Sequence, residues 1–348
     1  MRPEYGECRR LPKQSGWLDD ENMQPFSAQF SAPEAARTLL DDRYVLAWIE
    51  FRSAGHESPD DPRRVAVGLP QLGSGPLVEV WTSNTPVESG RRGRIAFSMN
   101  DQILFGHLAV DERDFSHVEA AARAAYEDFL PFAGEMGFPH YLRIWNYVPD
   151  INGQENGVER YKLFCMGRHA SLESFEFPEH RLPAASGVGS PPGQMLIYFL
   201  AARSPGIQVE NPRQVSAFRY PPQYGPKSPA FSRAMFKEWG TDKHLYISGT
   251  ASIVGHESQH HEDVLPQLGE SLRNVSTLID SARIEHGLPI QSPAELTQIK
   301  IYIRHEQDYE VIRRHVHDEL GAEAPVIYLL GDLCREDLLV EVEGFYAA

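Results

Sequence analysis

The feature that most constrains this fold is an order of predicted secondary structure that occurs twice along the chain. The C-terminal half carries, in order, an alternating segment, a long helical one, a second alternating one and a second helical one: 244–255, 263–286, 298–304 and 307–320. The same kinds of segment follow each other in the N-terminal half: 103–110, 116–136, 141–148 and 158–172. Apolar residues recur every second position in strands and about every 3.6 positions in helices. We therefore predict two layered α/β (α+β) halves, each a mixed sheet with helices packed on one face.

Two breaks in this order indicate how the chain divides. Residues 1–30 are polar and without periodicity, so we expect a leader ahead of the first domain. The segment 183–193 (PAASGVGSPPG) is rich in Gly and Pro, which favours a domain junction. We therefore expect an N-terminal domain over 31–186 and a C-terminal domain over 187–348. The segment 220–229 (YPPQYGPKSP) has two tyrosines among prolines, which predicts a stiff, shaped loop.

The composition limits the cellular compartment and the kinds of ligand that we expect for this chain. The formal net charge of −16 opposes binding to nucleic acid and to anionic membranes. No segment approaches the roughly 20 apolar residues needed to cross a bilayer, and the N-terminal residues lack the apolar core of a secretory signal. Cys8, Cys165 and Cys334 are odd in number and far apart, which predicts reduced thiols in the cytoplasm. An anionic ligand would need a local pocket of Arg and Tyr donors.

One histidine-rich segment could be taken for a metal site. It comprises His256, His260 and His261, followed by Glu262 and Asp263. The segment precedes a predicted helix, where polar residues are common and Asp263 is expected to act as the N-cap. No glycine-rich phosphate loop follows a predicted strand and opens a helix. We therefore expect neither a metal nor a cofactor.

Four ordered motifs of the C-terminal half resemble the RidA/YjgF fold: YISG at 246–249, QLGESLRNV at 267–275, KIYIR at 300–304 and LVEVEG at 339–344. One departure from that fold's enzymes matters. Its imine deaminases carry an arginine on the strand before the last turn, whereas this chain has APVIYLL at 324–330. The resemblance therefore implies the fold of this half and does not imply imine hydrolysis.

Further motifs along the chain are similar to those of the chorismatases, which consist of two RidA-like halves. They are IWNYV at 144–148, YKLFCMGR at 161–168, ENP at 210–212, YPPQYGP at 220–226, FSRAM at 231–235, SGTAS at 248–252 and CREDLLVEVEG at 334–344. The similarity is nearly continuous from Pro86 to the C-terminus. It implies a cytoplasmic enzyme that removes pyruvate from chorismate, as a monomer or small homo-oligomer. The C-terminal half would carry most of the active site.

The last predicted strand carries the candidate acid. Side chains alternate along a strand, so Glu341 and Glu343 project from one face about 7 Å apart. Two carboxyls this close disfavour joint ionisation, which keeps one of them protonated near neutral pH. The resemblance places the catalytic glutamate at Glu341, as general acid and base for pyruvate release. The alternative is a solvated strand face with no role in chemistry.

Chorismate carries two carboxylates, and carboxylates are bound by paired donors such as those of arginine. Positions that match the family nominate four residues for substrate binding: Arg168, Tyr220, Arg233 and Arg304. Arg143 and Tyr224 are second candidates. Taken singly, each of these arginines is more often a surface or structural residue.

Gly249 and Cys334 bear on the identity of the product. The resemblance implies alanines at both positions in the hydrolytic branch, where water attacks, and a glycine with a cysteine in the branch that forms 3-hydroxybenzoate. We therefore expect 3-hydroxybenzoate and pyruvate, formed through a transient arene oxide. Three alternatives stay open: hydrolysis to 3,4-dihydroxycyclohexa-1,5-diene carboxylate, a mixture of 3- and 4-hydroxybenzoate, and ligand binding without catalysis.

Overall fold

The computed structural model describes residues 24–40, 42–53 and 60–347. Residues 1–23 of the predicted leader lie outside this range. For the rest of the leader the prediction is wrong, because Phe26–Ser31 forms a strand with Phe26 and Ala28 buried. Alternation of buried and exposed side chains over these positions is the signature of a strand packed on one face.

The chain forms 21 strands and five α-helices within the described residues. The first strands are β1 Phe26–Ser31, β2 Val45–Phe51, β3 Arg64–Val67, β4 Gln71–Leu72, β5 Val78–Ser83, β6 Glu88–Arg92 and β7 Ile95–Met99. Next come β8 Ile103–Asp111, β9 His140–Pro149, β10 Gln154–Glu155, β11 Val158–Glu159, β12 Ala184–Ser190, β13 Gln194–Ala202 and β14 Ile207–Val209. The last are β15 Ala234–Trp239, β16 Asp242–Ala251, β17 Ile253–Val254, β18 Glu257–Ser258, β19 Gln298–Ile303, β20 Val326–Leu330 and β21 Val340–Ala347. The helices are α1 Pro33–Leu40, α2 Val118–Glu135, α3 Arg160–Ser174, α4 Val264–His286 and α5 Tyr309–Leu320.

Both large sheets follow the predicted plan. In the N-terminal half the strand order is β12-β9-β13-β8-β7-β6, and α2 and α3 cover one face. In the C-terminal half the order is β14-β15-β16-β21-β19-β20-β4, and α4 and α5 cover one face. Each sheet has a parallel pair, β12 with β9 and β19 with β20, among antiparallel neighbours. The prediction of two layered α/β halves with mixed sheets is confirmed.

Helix α4 shows how local sequence sets these elements. Apolar residues recur at helical spacing along it, and four of them are buried against the sheet: Leu268, Leu272, Val275 and Ile279. Gly287 ends the helix in the left-handed conformation (φ 65°, ψ 34°), as its position after the last helical residue favours. Asp263 occupies the N-cap position, but its side chain makes no cap hydrogen bond to any described residue. None of the described helices has the length and apolar character that crossing a membrane requires.

A third sheet, with the strand order β1-β5-β2-β3, was not expected from the repeated pattern. Its apolar residues join one core with the helix-free faces of both large sheets. Aromatic rings connect the three sheets: Trp81 lies 5.1 Å from Phe26 and 5.8 Å from Trp145 between ring centroids, and Phe26 lies 5.7 Å from Phe345. The helices therefore lie on the outer faces, and the sheets meet inside.

Most of the Gly- and Pro-rich segment 183–193, which was predicted as a domain junction, is strand β12. Strand β12 pairs in parallel with β9, from Ala184 opposite Arg143 onwards, and the predicted boundary after residue 186 falls inside it. Strand β13 continues the same sheet to Ala202. Glycine is needed here for close packing, since a Cβ on Gly189 would come within 2.5 Å of Ile151 and 2.6 Å of Asp332. Composition alone does not separate such a tightly packed strand from a linker.

Candidate active site

A cavity of about 330 Å³ lies where α3 and β12 of the N-terminal half meet β16, β21 and the loops over 220–231 and 334–337. Six predicted site residues line it: Arg168, Tyr220, Arg233, Gly249, Cys334 and Glu341. Tyr224, a second candidate, lines it too, whereas Arg304 and Arg143 lie outside. Both halves of the chain therefore build the walls of this cavity.

Glu341 projects from β21 into the cavity and is 4% exposed. Burial, followed by the charge of Glu343, raises the pKa of Glu341 to about 8, while Arg143 and Arg233 partly oppose this shift. Its Oε1 atom has no hydrogen-bond partner among the described residues. The carboxyl is therefore mainly in its acid form at neutral pH and faces space that a ligand can fill.

Glu343, two residues further along the same strand, is in the opposite state. Five donors surround its carboxylate at 2.6–3.3 Å: Trp145, Ser186, Tyr302, Arg143 and Lys300. Burial alone would raise the pKa of Glu343, but the charges of Arg143 and Lys300 and the hydrogen bonds lower it below its ordinary value. One carboxyl of the pair is thus an acid and the other an anion.

Arg168 lies on α3 with its guanidinium at the cavity wall. Gly167 makes this possible, since a Cβ there would lie 2.1 Å from the Glu119 carbonyl oxygen, so a larger residue would separate α3 from α2. Arg168 is 4% exposed, and its Nε and Nη2 atoms have no hydrogen-bond partner within the described chain. Buried guanidinium donors without partners are costly, so this wall is suited to an anion.

Arg233 and Tyr220 form a second polar wall. Arg233 donates from Nη2 to the Tyr220 hydroxyl at 2.7 Å and to the Val215 carbonyl at 2.9 Å. Its Nε has no partner among the residues described. Because the Tyr220 oxygen accepts from Arg233, the hydroxyl proton of Tyr220 can be donated to a ligand.

Gly249 faces Glu341 across the cavity floor. A Cβ at this position would lie 2.0 Å from Glu341 Oε1 and 3.1 Å from Ser186 Oγ, so an alanine would force the carboxyl to move. Cys334 lines the same space from the loop before β21. Burial, with the charge of Glu341, raises the pKa of the Cys334 thiol to about 12, so the sulfur remains a protonated thiol.

Known proteins of one family are similar to this chain. The family description "Chorismatase FkbO/Hyg5-like, N-terminal" matches residues 79–201. A chorismatase of Streptomyces rapamycinicus is 36% identical over 320 residues, which are 90% of this chain and 95% of the relative. A 3-hydroxybenzoate synthase of Streptomyces hygroscopicus is 32% identical over 322 residues, covering 90% and 92%. A chorismatase crystal structure at 1.08 Å resolution superposes with a TM-score of 0.83 and 33% identity, over 92% of this chain and 98% of that one.

The chain belongs to the chorismatase family. Its family membership covers both halves, since the matched relatives span nearly the whole chain. The two halves described above thus form a chorismatase fold.

Arg304, the fourth predicted binding residue, contacts the protein's own loop instead of this chorismatase cavity. It donates to the carbonyl oxygens of Leu338 at 2.7 Å and Arg335 at 2.8 Å, and pairs with Asp332 at 2.7 Å. Arg304 therefore supports the 332–338 loop, which carries Cys334. The charge at the end of an apolar strand does need partners, and here they are the carboxylate of Asp332 and main-chain carbonyl oxygens.

Arg335 was not singled out from the sequence, although it lines the cavity beside Cys334. Its guanidinium lies 4.0 Å from the ring centre of Tyr224 and 5.4 Å from that of Tyr220. It also donates to the His256 carbonyl at 3.0 Å. The available signal was its place directly after Cys334, in the motif at 334–344.

The three histidines near α4 contact separate partners. His256 Nδ1 lies 3.1 Å from the Tyr224 hydroxyl. His260 lies 3.9 Å from Glu270, and His261 lies 3.3 Å from Asp337. In the part of the chain that the structure describes, no group of three His, Cys, Asp or Glu side chains is arranged to bind a metal ion.

Proposed function

We propose that this chain converts chorismate to 3-hydroxybenzoate and pyruvate, with Glu341 as general acid and base. The observation that carries the proposal is a buried acid on one wall of a cavity whose other walls offer arginine donors. Glu341 keeps its proton near neutral pH, and Arg168 has two donor atoms with no partner in the described chain. A protonated carboxyl beside a site for an anion suits an anionic, acid-labile enol ether.

Substrate binding is assigned to Arg168 on one wall and to Arg233 with Tyr220 on another. Chorismate has two carboxylates, and each wall can supply donors to one of them. Since the net charge of the chain is −16, the attraction must be local. Arg335 lies close to the rings of Tyr220 and Tyr224 and adds a further cation to the cavity wall. Arg304 acts indirectly, by supporting the loop of Cys334 and Arg335.

The chemical step begins with proton transfer from Glu341 to the methylene carbon of the enolpyruvyl group. The bond between the ring carbon and the ether oxygen then breaks, and the enolpyruvyl arm leaves as pyruvate. The neighbouring ring hydroxyl attacks the same ring carbon and returns its proton to Glu341. The arene oxide so formed opens to 3-hydroxybenzoate, and the atoms balance without water, oxidant or reductant. This sequence uses one residue first as acid and then as base.

Gly249 supports the intramolecular route by letting the Glu341 carboxyl lie directly over the main chain. An alanine would displace the carboxyl by contact with Oε1 and would change which ring oxygen it can reach. Cys334, as a neutral thiol, forms the part of the cavity wall next to Glu341. Both residues thus shape the space in which water would otherwise attack.

Side chains of both halves of one copy build the cavity walls described above. We propose that the chain acts as a monomer or as a small homo-oligomer. The balanced reaction requires no metal or redox cofactor. The free thiols of Cys165 and Cys334 agree with the expectation of a cytoplasmic enzyme.

The decisive experiment is incubation of the purified full-length chain with chorismate. Pyruvate is followed by a coupled reduction to lactate, and the ring product is identified by chromatography against 3-hydroxybenzoate, 4-hydroxybenzoate and the diene diol. Pyruvate and 3-hydroxybenzoate in equal amounts are expected. The diene diol would favour the hydrolase, and binding of chorismate without pyruvate release would favour a ligand-binding protein.

A further inference from the structure

Four alternating charges lie buried in a row behind the cavity, and we call them the ion chain: Glu79, Lys300, Glu343 and Arg143. Lys300 Nζ lies 2.7 Å from Glu79 Oε2 and 3.3 Å from Glu343 Oε1. Arg143 Nη2 lies 2.8 Å from Glu343 Oε2. Each of the four side chains is at most 5% exposed.

Burial of the ion chain disfavours folding through the desolvation of its charges. Removing four charges from water carries a large desolvation cost, and apolar replacements of such networks are often neutral or stabilising. The ion chain also lies outside the cavity, so none of its members contacts a ligand there. Stability and direct ligand binding therefore do not explain why four charged residues are buried here.

Ser186 links the ion chain to the cavity floor. Its hydroxyl donates to Glu343 Oε2 at 2.8 Å and accepts from Arg143 at 2.5 Å. The same oxygen accepts the main-chain N–H of Gly249 at 2.9 Å. Gly249 in turn is the residue over which the Glu341 carboxyl lies. Ser186 and Gly249 thus connect the ion chain to the Glu341 carboxyl in the cavity.

We propose that the ion chain holds Glu343 as an anion two residues from Glu341, and that this anion adds to the burial that keeps Glu341 in its acid form. Glu343, Arg143, Lys300 and Glu79 are then positioning residues of the active site. The part of this inference that concerns catalysis rests on the proposed function. For the state of Glu341 the inference rests on the burial of that carboxyl and on the contacts between the ion chain, Ser186 and Gly249.

The groups that face the Glu341 carboxyl come from several elements. They are Glu343 on its own strand, Arg143 from β9, Arg233 from the residue before β15 and Cys334 from the loop before β21. Cys334 is neutral over the relevant pH range, so Glu343 is the one anion of this set. Without the Glu343 charge, the positive charges of Arg143 and Arg233 would favour ionised Glu341.

Glu79 acts through Lys300. It shares the Lys300 ammonium with Glu343, so part of the positive charge is neutralised from the far side. Removal of Glu79 would direct the full ammonium charge at Glu343 and weaken the field of that carboxylate at Glu341. Because Glu79 lies on β5, the third sheet would thereby contribute to the active site.

The test compares pH profiles of kcat/KM for chorismate in Glu343→Gln, Glu79→Gln and the native chain. A control is Glu270→Gln, because Glu270 is equally buried, pairs with Arg213 and Arg273, and lies outside the cavity and the ion chain. The alkaline fall of Glu343→Gln is expected to move down by about one pH unit. A smaller shift in the same direction is expected for Glu79→Gln, and none for Glu270→Gln. A loss of activity at every pH with the alkaline fall unmoved would overturn the proposal.

A second measurement separates this inference from the proposed function. The difference in thermal stability between the native chain and Glu341→Gln, followed over pH, reports the titration of Glu341 without any substrate. The midpoint of that difference is expected to fall when both chains also carry Glu79→Gln. If the native chain releases no pyruvate, the proposed function fails, and an unchanged midpoint would overturn the ion-chain inference by itself.

Discussion

The cavity and the ion chain each contain a buried glutamate and a buried arginine, and the two sets end in opposite states. In the ion chain, Arg143 contacts Glu343 at 2.8 Å, and both charges are retained. In the cavity, Glu341 Oε1 and two donor atoms of Arg168 have no partner among the described residues. Burial with partners therefore yields an ion pair, whereas burial without them yields an acid and an anion site. The set that the protein leaves unsatisfied is the one that a ligand can complete.

The largest effect is expected when the acid, Glu341, is replaced by a neutral side chain of the same size. Glu341→Gln keeps the size of the side chain but cannot donate the carboxyl proton. We expect pyruvate release to fall by about 10²–10⁴-fold, the usual contribution of a general acid. Single-turnover pyruvate formation with a circular dichroism check of folding measures this. Retained activity would remove Glu341 from the mechanism.

The two arginines can be compared by the same replacement. Arg168→Met is expected to lower kcat/KM for chorismate by about 100-fold, because a substrate carboxylate loses its buried partner. Its thermal stability should be equal or higher, since the unpaired buried donors are gone. Arg143→Met should instead lower the melting temperature, because Glu343 loses an ion-pair partner. Equal stability losses in both variants would contradict the assignment of Arg168 to a ligand.

The pH dependence sharpens the contrast between the two glutamates. The pKa of Glu341 is raised to about 8, so its acid form is present below that pH and lost above it. Activity should therefore fall by about tenfold per pH unit above 8. The raised pKa also means that the folded chain binds this proton more tightly than the unfolded chain, so stability should decline as pH rises from about 4.5 to about 8. A Glu341→Gln chain should lack this decline, which thermal denaturation over that pH range can check.

The smallest expected effect concerns the product rather than the rate. Gly249→Ala combined with Cys334→Ala should shift the ring product toward the diene diol by several-fold, because the added methyl displaces the Glu341 carboxyl and the lost sulfur opens space for water. The ratio of products by chromatography measures this. The Cys165→Ala chain is a comparison, since that buried thiol lines the same cavity from α3, and it tests whether loss of any cavity thiol shifts the product. An unchanged ratio would mean that these positions do not select the product.

Local pattern was sufficient for much of the fold. The period of apolar residues predicted α2, α4 and the strands around them, and the predicted end of α4 at residue 286 is the observed one. Strand alternation also placed Glu341 and Glu343 on one face. The segment 183–193 was misjudged because glycines in a tightly packed strand have the composition of a linker, and β1 was misjudged because a short polar strand carries a weak apolar signal.

The sequence by itself determined the two layered halves, the shared face of the two glutamates and the positions that match the family. Only the tertiary structure decided which glutamate is ionised, because the partners of Glu343 come from residues 41 to 200 positions away and from three different strands. It also decided that Arg304 supports a loop while Arg168 faces the cavity. Charge state and hydrogen bonding depend on which groups the folded chain brings within a few ångströms of each other. The sequence alone does not give those distances.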